Sequence, residues 1–335
     1  MENRKNILTD TFGRKHSYLR ISLTELCNLR CTYCMPEEGI PLSPKSHIMS
    51  FDEVYTIAKT FVDNGVTKIR LTGGEPLVRK DVNIVLEKLA TLPVELSITT
   101  NAVIVHRFID TLKACSIRNI NVSLDSLIAE KFNKITRRNN FEVVYNNILL
   151  LVKEGFNVKL NAVLIKGFND NEIVDFINLT KTLPISVRFI EFMPFDGNKW
   201  NKEKMVSYAE VMEYVNNVFT EDEVLRIQDA PNDTSKNYKI KDYIGSFAII
   251  SSVTNPFCDS CNRIRLTANG QLKNCLFSNS ESDLLTTLRE GKDIKPIIQK
   301  AIQAKFKVRG GMDTLEKLEK PQLHTKNRSM ITIGG

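Results

Sequence analysis

Six strand-like segments alternate with longer helix-like segments between residue 18 and residue 193. This alternation indicates parallel βα units, because two parallel neighbouring strands need a long crossover connection, which is usually a helix. Six units predict an α/β fold, either a partial (β/α)6 barrel or an open doubly wound sheet, which fits the same periodicity. The predicted strands cover residues 18–23, 67–72, 95–101, 118–124, 157–165 and 186–192.

Helix boundaries are marked between the predicted strands. Ser50 and Glu53 have the spacing of a capping box, and the apolar residues after them repeat with a helical period until Gly65, a stop signal. The segment 142–154 shows the same helical pattern, and Gly155 ends it. These signals support the βα rhythm independently of the strand pattern.

Each predicted strand has one apolar face and one polar face. Parallel strands covered by helices are normally apolar on both faces, and an ordinary (β/α)8 barrel fills its interior with Val, Ile and Leu. We therefore infer a barrel whose lumen is a polar ligand cavity. The cations predicted to point into this lumen are Arg20, Lys68, Arg70 and Lys159.

These cations indicate the kind of ligand. Unpaired buried charge is very costly, so four buried cations need a polyanionic partner. The formal net charge of +7 would by itself also fit nucleic acid or an anionic surface. The placement of the cations on interior strand faces favours a phosphorylated small molecule inside the barrel over nucleic acid outside it.

The same sequence predicts a location and a division into two regions. It has no apolar run close to the roughly 18 to 20 residues that span a bilayer, and its polar N-terminus lacks the apolar core of a secretory signal. A cytosolic protein without a membrane partner is therefore expected. The strand–helix rhythm ends near residue 195, which predicts a barrel over residues 1–195 and a C-terminal extension over residues 196–335.

A first cysteine group follows the first predicted strand directly. Cys27, Cys31 and Cys34 have the spacing CxxxCxxC. Three thiolates can bind three irons of a cubane and leave the fourth iron open for chemistry, whereas four would give a closed electron carrier. Zinc is the alternative, but zinc sites usually have two ligand pairs, and no second pair stands near this triplet. The spacing favours a [4Fe–4S] cluster.

A second group has the spacing CxxC-x13-C and comprises Cys258, Cys261 and Cys275. Zinc stays open here, because CxxC is a zinc-ribbon element, although the fourth ligand would have to come from far away in the sequence. The candidates for that fourth ligand are His16, His47, His106, His324 and Cys115. We favour a second cluster with an open iron that can hold substrate, and we interpret Cys115 as a small buried hydrophobe.

The first group resembles the radical SAM superfamily. CNLRCTYC has an aromatic residue, Tyr33, before its last cysteine, and Gly73-Gly74-Glu75-Pro76 follows the second predicted strand. In that superfamily the open iron chelates S-adenosylmethionine (SAM), the GGEP element binds the methionine amino group, and reduction releases a 5′-deoxyadenosyl radical. The resemblance therefore implies a radical SAM barrel, with the second cluster carried by the C-terminal extension.

Nearly the whole chain resembles one family within it, the GTP 3′,8-cyclases of molybdenum cofactor biosynthesis. The motifs that carry this are the two cysteine groups with KIRLTGGEPL, TTN, NVSLDSL, ITRRNNF, RFIEFMP and the terminal Gly334-Gly335. The resemblance implies SAM contacts at Tyr33, Gly74, Ser123 and Met193. It implies GTP contacts at Arg20, Arg70, Thr99, Lys159, Arg263, Ile264 and Arg265, with Arg263 and Arg265 also catalytic.

Further residues follow from the same resemblance. Arg263 and Arg265 have the period-2 spacing that puts both on one strand face. Lys68 and Arg188 are implied as additional contacts to the triphosphate, although strict alternation would place Arg188 opposite Met193. The Gly334-Gly335 tail is implied to reach into the active site, and the second cluster to bind the guanine.

The family's reaction abstracts the 3′ hydrogen of GTP, and the ribose radical then attacks C8 of the guanine to give a cyclised triphosphate. The resemblance also implies an electron donor such as flavodoxin, a cyclic pyranopterin monophosphate synthase that takes the product, and a homodimer. Two rival functions stay open. One is another two-cluster radical SAM enzyme, such as a peptide maturase, and the other is a non-catalytic zinc- or nucleotide-binding protein.

Overall fold

The computed structural model describes residues 6–36, 38–323 and 327–334 of the chain. His324 and Gly335, both considered above, lie outside the described residues.

The six predicted strands are present, and each of their ends agrees with the prediction within one residue. They are β1 (Tyr18–Ser22), β2 (Lys68–Thr72), β3 (Glu95–Thr100), β4 (Asn119–Ser123), β5 (Asn157–Leu164) and β6 (Ser186–Glu191). They pair in parallel, and their order in space follows their order in the chain. This is the winding of a barrel, because a doubly wound sheet reverses its strand order at a switch point.

Helices lie between the strands of the barrel, and further helices lie in the C-terminal part of the chain. They are α1 (Phe51–Asp63), α2 (Val82–Ala90), α3 (Ile109–Ala114), α4 (Ala129–Thr136), α5 (Phe141–Lys153), α6 (Ile173–Leu179), α7 (Tyr208–Asn216), α8 (Leu285–Arg289), α9 (Lys295–Gln303), α10 (Leu315–Leu318) and α11 (Met330–Ile333). The capping box at Ser50 is confirmed, since the Glu53 amide donates to Ser50 Oγ at 3.2 Å and the Ser50 amide donates to the Glu53 carboxylate at 2.6 Å.

Strands from beyond residue 195 continue the same sheet at both ends. They are β7 (Val224–Arg226), β8 (Lys236–Ile240), β9 (Ser246–Ile250), β10 (Arg263–Leu266), β11 (Gln271–Lys273) and β12 (Ser282–Asp283). β10 pairs in parallel with β1, and β9 pairs in parallel with β6. Among the described residues this gives one sheet in the order β12-β11-β10-β1-β2-β3-β4-β5-β6-β9-β8-β7. The boundary at residue 195 stays a prediction, and the sheet runs across it.

The core lies between the helices and the apolar strand faces. Leu19, Ile21, Ile69 and Leu71 are fully buried there, and burying each such side chain stabilises the fold by roughly 1.5–3 kcal/mol. Cys115 is 4% exposed within this core, as predicted. The polar residues that alternate with these aliphatic ones face the lumen on the other side of the sheet. No helix of the described residues is long and apolar enough to cross a membrane.

Candidate active site

The first cysteine group lies on the loop after β1, at the carboxyl end of the strand, where parallel α/β proteins bind ligands. Backbone hydrogen bonds of 2.9 Å from Arg30 to Thr136 and from Thr32 to Ile135 attach this loop to the end of α4. Nη1 of Arg137 donates to the carbonyls of Arg30 and Met35, each at 3.2 Å. The loop conformation is therefore fixed by a neighbouring element.

The three thiols of this loop lie close enough to affect one another's pKa. Burial, and after it the charges of Cys34 and other neighbours including Cys27, raise the pKa of Cys31, and burial raises the pKa of Cys27 to about 11. The Leu29 amide and the Asn101 side-chain amide donate to Cys27 Sγ at 3.4 and 3.7 Å. Three neighbouring thiols with N–H donors to sulfur fit a [4Fe–4S] cluster, whose thiolates such donors stabilise. Among the described residues, no three His, Cys, Asp or Glu side chains are grouped around a single metal ion position.

A cavity opens to solvent beside these thiols, and the space between its atoms, including the part open to solvent, is about 1060 Å³. All four residues predicted to bind SAM line it, together with the predicted GTP residue Thr99. The lining residues used below are Cys27, Cys31, Tyr33, Cys34, Gly74, Thr99, Ser123, Asp125, Asn161, Met193, Met330 and Ile331. Residues in or just after five strands, β2 to β6, thus meet the cysteine loop and the C-terminal tail in one space.

Gly74 packs directly against the backbone that leads into Cys27. A Cβ at position 74 would lie 2.5 Å from the Leu26 carbonyl oxygen, which real structures do not allow. The same turn is tied to that backbone by hydrogen bonds from the Gly74 amide to Thr24 at 2.9 Å and from the Glu75 amide to Leu26 at 2.8 Å. The GGEP element therefore holds the cysteine loop as well as lining the cavity.

Asp125 is a buried residue of the cavity that the sequence interpretation missed. Tyr33 Oη donates to one of its carboxylate oxygens at 2.8 Å, and the Val163 amide donates to the other at 2.9 Å. Burial raises the pKa of Asp125 to about 6. The NVSLDSL motif contained Asp125, but alternation alone could not show that it orients Tyr33.

The second cysteine group lies on both sides of the β10–β11 pair, since Cys258 and Cys261 precede β10 and Cys275 follows β11. The Arg309 amide donates to Cys258 Sγ at 3.4 Å, and Lys305 Nζ lies 3.7 Å from Cys261 Sγ and 2.8 Å from the Arg263 carbonyl. Burial alone would raise the pKa of Cys261, but the Lys305 charge, the Arg263 amide and the charges of Arg263 and Arg14 together outweigh burial and lower that pKa. Thiols that receive N–H donors and a cation fit a second cluster.

Arg14 holds this second group in place and was missed by the sequence interpretation. Its guanidinium donates to the carbonyls of Cys258 at 2.7 Å, Lys307 at 2.8 Å and Phe306 at 2.9 Å. Asp10 fixes the guanidinium through a 2.6 Å ion pair, and both side chains are almost fully buried. The N-terminal segment thus supports a loop more than 240 positions away, which no local pattern could reveal.

The predicted cations gather in the lumen, because β10 brings its two arginines beside β1. In the sheet register Arg20 lies opposite Arg70 on one side and Arg265 on the other. Burial, and then the charges of Arg188 and Arg70, lower the pKa of Lys159 to about 8. Burial also lowers the pKa of Arg265 and of Arg188 to about 10.

Tyr18 and Arg188 belong to the same cluster. The Tyr18 ring has the charged ends of Arg263, Arg70 and Lys68 at 5.5, 5.6 and 5.7 Å from its centroid. Burial would raise the pKa of Tyr18, but the surrounding cations together lower it. Arg188 pairs in register with Asn161 and so faces the lumen. Strict alternation fails for Arg188 and Met193, because β6 ends at Glu191 and alternation applies only within the strand.

Two predicted GTP residues differ from the others in position. Lys68 lies at the amino-terminal rim and forms a 2.7 Å ion pair with Glu95. The Ile264 side chain is buried in the apolar layer opposite Leu19, which leaves its backbone for contact with a ligand.

Several buried atoms of the lumen have no hydrogen-bond partner within the part of the chain that the structure describes. Buried polar atoms without partners are rare and costly, so a set of them on one face indicates a polar ligand. These atoms are Tyr18 Oη, Thr99 Oγ1, Asn121 Oδ1, Asn161 Oδ1, Arg188 Nε and Arg263 Nη1.

The C-terminal tail enters this region. Nζ of Lys273 donates to Asn327 Oδ1 at 3.0 Å, and Arg328 pairs with Glu281 at 2.6 Å. These contacts anchor the tail outside the lumen and lead α11 toward Gly334, whose carbonyl accepts from Arg265. The other predicted tail residue, Gly335, lies outside the described residues.

A parallel barrel with a three-cysteine loop at the carboxyl ends of its strands is the arrangement of a radical SAM protein. The chain matches the family described as the Radical SAM superfamily over residues 21–180 and the one described as Molybdenum Cofactor Synthesis C over residues 185–310. The fold is also that of Streptococcus suis SuiB bound to S-adenosylmethionine, with a TM-score of 0.58 over 84% of this chain and 65% of that one, at 18% identity.

Curated relatives are much closer in sequence. "GTP 3′,8-cyclase, mitochondrial" of Arabidopsis thaliana is 47% identical over 98% of this chain and 84% of its own length. "GTP 3′,8-cyclase" of Listeria welshimeri is 41% identical over 89% of this chain and 91% of its own. "Molybdenum cofactor biosynthesis protein 1" of Homo sapiens is 45% identical over 97% of this chain, which spans only 51% of that relative. The chain belongs to the GTP 3′,8-cyclase family.

Proposed function

We propose that this protein converts GTP to (8S)-3′,8-cyclo-7,8-dihydroguanosine 5′-triphosphate, the first step of molybdenum cofactor biosynthesis, and is therefore a lyase. One observation carries the proposal. A single lumen has the cysteine loop and its cavity at one end and the cluster of Arg20, Arg70, Arg263 and Arg265 further in. A radical source and a polyanion site in one space fit a nucleoside triphosphate as substrate.

The first cysteine group would hold a [4Fe–4S] cluster, which together with SAM supplies a hydrogen-abstracting organic radical when bound. Tyr33, Gly74, Ser123 and Met193 would enclose SAM, since all four line the same cavity. Asp125 would keep Tyr33 oriented through its 2.8 Å hydrogen bond. The tail residues that line the cavity would exclude water from the reacting atoms.

The cations would bind and orient the triphosphate. Arg70, Lys159, Arg188, Arg263 and Arg265 offer charge-assisted donors, which bind phosphate oxygens strongly. Arg188 Nε and Arg263 Nη1 have no partner among the described residues and are available for such bonds. Thr99 lies between the two ends of the lumen and would contact the ribose side of the nucleotide. A fixed triphosphate would present the 3′ position toward SAM.

The second cysteine group would hold a second [4Fe–4S] cluster that binds the guanine. This is supported by the N–H donor to Cys258 and the ammonium beside Cys261, and by Arg263, whose carbonyl accepts from the same Lys305. The proposed partners are an electron donor such as flavodoxin, a cyclic pyranopterin monophosphate synthase and a second copy of the chain. A cytosolic location stays a prediction.

Anaerobic incubation of the reduced protein with SAM and GTP tests the proposal. We expect 5′-deoxyadenosine and the cyclised triphosphate in equal amounts. Deoxyadenosine without any cyclised product would assign the chain to another radical SAM reaction, such as peptide maturation. Iron analysis tests the clusters separately. About eight irons per chain in the unsubstituted protein support two cubanes. In Cys258→Ala, which leaves the first cysteine group intact, we expect about four irons per chain. Zinc without iron in the unsubstituted protein contradicts the proposal.

A further inference from the structure

The Cys27 thiol is contacted by a side chain from outside its own loop. Asn101 directly follows β3 and is only 7% exposed, and its Nδ2 donates to Cys27 Sγ at 3.7 Å across 74 positions of sequence. The same Nδ2 donates to Asn28 Oδ1 at 2.7 Å. The Leu29 amide also donates to this sulfur, but it belongs to the cysteine loop. Asn101 therefore connects the end of β3 to a predicted cluster ligand and to the residue next to it.

A buried carboxylate fixes the backbone at Asn101. Glu75 is fully buried, and its Oε2 accepts a 2.6 Å hydrogen bond from the Asn101 amide. Its Oε1 accepts from Thr100 Oγ1 at 2.8 Å and from the Leu77 amide at 3.1 Å. Both carboxylate oxygens thus accept hydrogen bonds within the protein, and the GGEP element fixes the end of β3 as well as the cysteine loop.

The backbone directly after Asn101 has an uncommon conformation. Ala102 is fully buried and has a φ of 59°, in the left-handed region that is unfavourable for a residue with a Cβ. Such a conformation persists only where surrounding contacts fix it. The Ala102 amide donates to Thr100 Oγ1 at 3.0 Å, and Asn147 Nδ2 donates to the Ala102 carbonyl at 2.7 Å. The turn that carries Asn101 is consequently held in one conformation from both sides.

We propose that Asn101 is a positioning residue that raises the reduction potential of the first [4Fe–4S] cluster through its hydrogen bond to Cys27. Reduction adds one negative charge to a cluster, and an N–H donor at a thiolate sulfur stabilises the more negative form. Asn101 then favours the electron transfer that comes before radical formation. The inference rests on the first cluster of the proposed function, and it does not depend on GTP as the substrate.

The test is the midpoint potential of the first cluster in the anaerobic full-length chain, titrated without SAM and followed by electron paramagnetic resonance. All proteins compared also carry Cys258→Ala, so that the signal comes from the first cysteine group. Asn101→Leu replaces the amide by an apolar group of similar size. We expect the reduction equilibrium to shift about tenfold toward the oxidised cluster, a fall of about 59 mV for one electron. Because SAM is absent, contacts between residue 101 and SAM do not contribute.

Two further variants control this experiment. Asn101→Gln keeps a side-chain amide, and its midpoint potential should lie closer to that of the parent protein than to that of Asn101→Leu. Asn64→Leu is the matched control for the substitution itself. Asn64 is half-buried, and its amide donates at 2.7 Å to the Thr60 carbonyl and not to a thiol, so the midpoint potential should stay unchanged.

The remaining outcomes separate this inference from the proposed function. An unchanged or higher midpoint potential in Asn101→Leu overturns the inference, as does an equal fall in Asn101→Gln. Loss of iron from Asn101→Leu also overturns it, because Asn101 would then retain the cluster and not tune its potential. These three outcomes leave the proposed function intact. An unsubstituted protein that binds no iron would instead overturn the proposed function itself.

Discussion

Nη1 of Arg265 donates a 2.5 Å hydrogen bond to the backbone carbonyl of Gly334. Arg265 is 6% exposed and lies beside Arg20 in the sheet register, so Gly334 lies at the cation cluster. Gly334 has a φ of 84°, and a Cβ there would lie 2.5 Å from Thr72 Oγ1 and 2.8 Å from Ser22 Cβ. Both the conformation and the space at this position require glycine.

Gly334→Ala should therefore expel the end of the tail from the lumen. We expect formation of cyclised GTP to fall at least about tenfold, because small displacements of groups around reacting atoms are costly. Gly13→Ala is the matched control, since Gly13 has a similar φ of 79° but open space where a Cβ would lie. Equal turnover by Gly334→Ala and the unsubstituted protein, with chromatography of the product as the measurement, would contradict this role of the tail.

Arg14→Ala should release the second cysteine group. The substitution removes three hydrogen bonds to the carbonyls of Cys258, Phe306 and Lys307 and leaves Asp10 buried without its ion pair, a change that costs about 3–5 kcal/mol. We expect iron to fall from about eight to about four per chain, with SAM binding retained. Iron analysis measures the iron content per chain, and the electron paramagnetic resonance of the reduced protein shows which cluster signal is lost.

Two further variants control the Arg14 experiment. Arg14→Lys keeps the positive charge beside Asp10 but cannot make all three hydrogen bonds, so an intermediate loss of iron is expected if Arg14 positions the loop. Arg118 is exposed at the start of β4, and Arg118→Ala should retain all iron. A full complement of iron in Arg14→Ala would show that the loop holds its conformation without the guanidinium.

Gly74→Ala should disturb the cysteine loop more than the tail, because the added Cβ would lie 2.5 Å from the Leu26 carbonyl oxygen and 2.9 Å from the Ile331 side chain. The added Cβ would press on the Leu26 backbone, which cannot rotate away as a flexible side chain could. Overpacking of this kind costs about 1–3 kcal/mol, so SAM should bind about tenfold more weakly. Isothermal calorimetry with SAM measures the change, and Gly155→Ala, where a Cβ meets nothing within 4 Å, should bind SAM normally. Normal SAM affinity in Gly74→Ala would refute the role of the close contact between Gly74 and the Leu26 backbone.

The sequence predicted those parts of the fold and site that depend on local pattern. Strand ends such as Tyr18 and the capping box at Ser50 follow from the period and spacing of neighbouring residues. The polar strand faces predicted the lumen because alternation within a strand fixes the side of each residue. Cysteine spacing predicted two groups of thiols because Cys27 and Cys31, and likewise Cys258 and Cys261, are so close in sequence that each pair lies within one loop.

The parts that escaped prediction depend on contacts between distant segments. Alternation misplaced Arg188 relative to Met193, because only tertiary structure shows that β6 ends at Glu191. Arg14 and Cys258, or Asn232 and Arg263, meet only when strands from beyond residue 195 join both ends of the sheet. The place of Tyr18 among the cations appears only once β10 lies beside β1.

Lys159 should make GTP binding depend on pH. Burial, and then the charge of Arg188, lower its pKa to about 8, so its ammonium is charged below that pH and loses its charge above it. A bound triphosphate favours the charged form, and GTP affinity should therefore fall as pH rises from 7 to 9.5, with a midpoint near 8 in the free protein. Lys159→Arg, whose charge persists over this range, should remove the step near pH 8, and guanosine should show no step at that pH in either protein. Equilibrium dialysis at constant ionic strength measures the affinities for GTP and guanosine. A GTP affinity that stays constant over this pH range in the unsubstituted protein would exclude Lys159 from the triphosphate site.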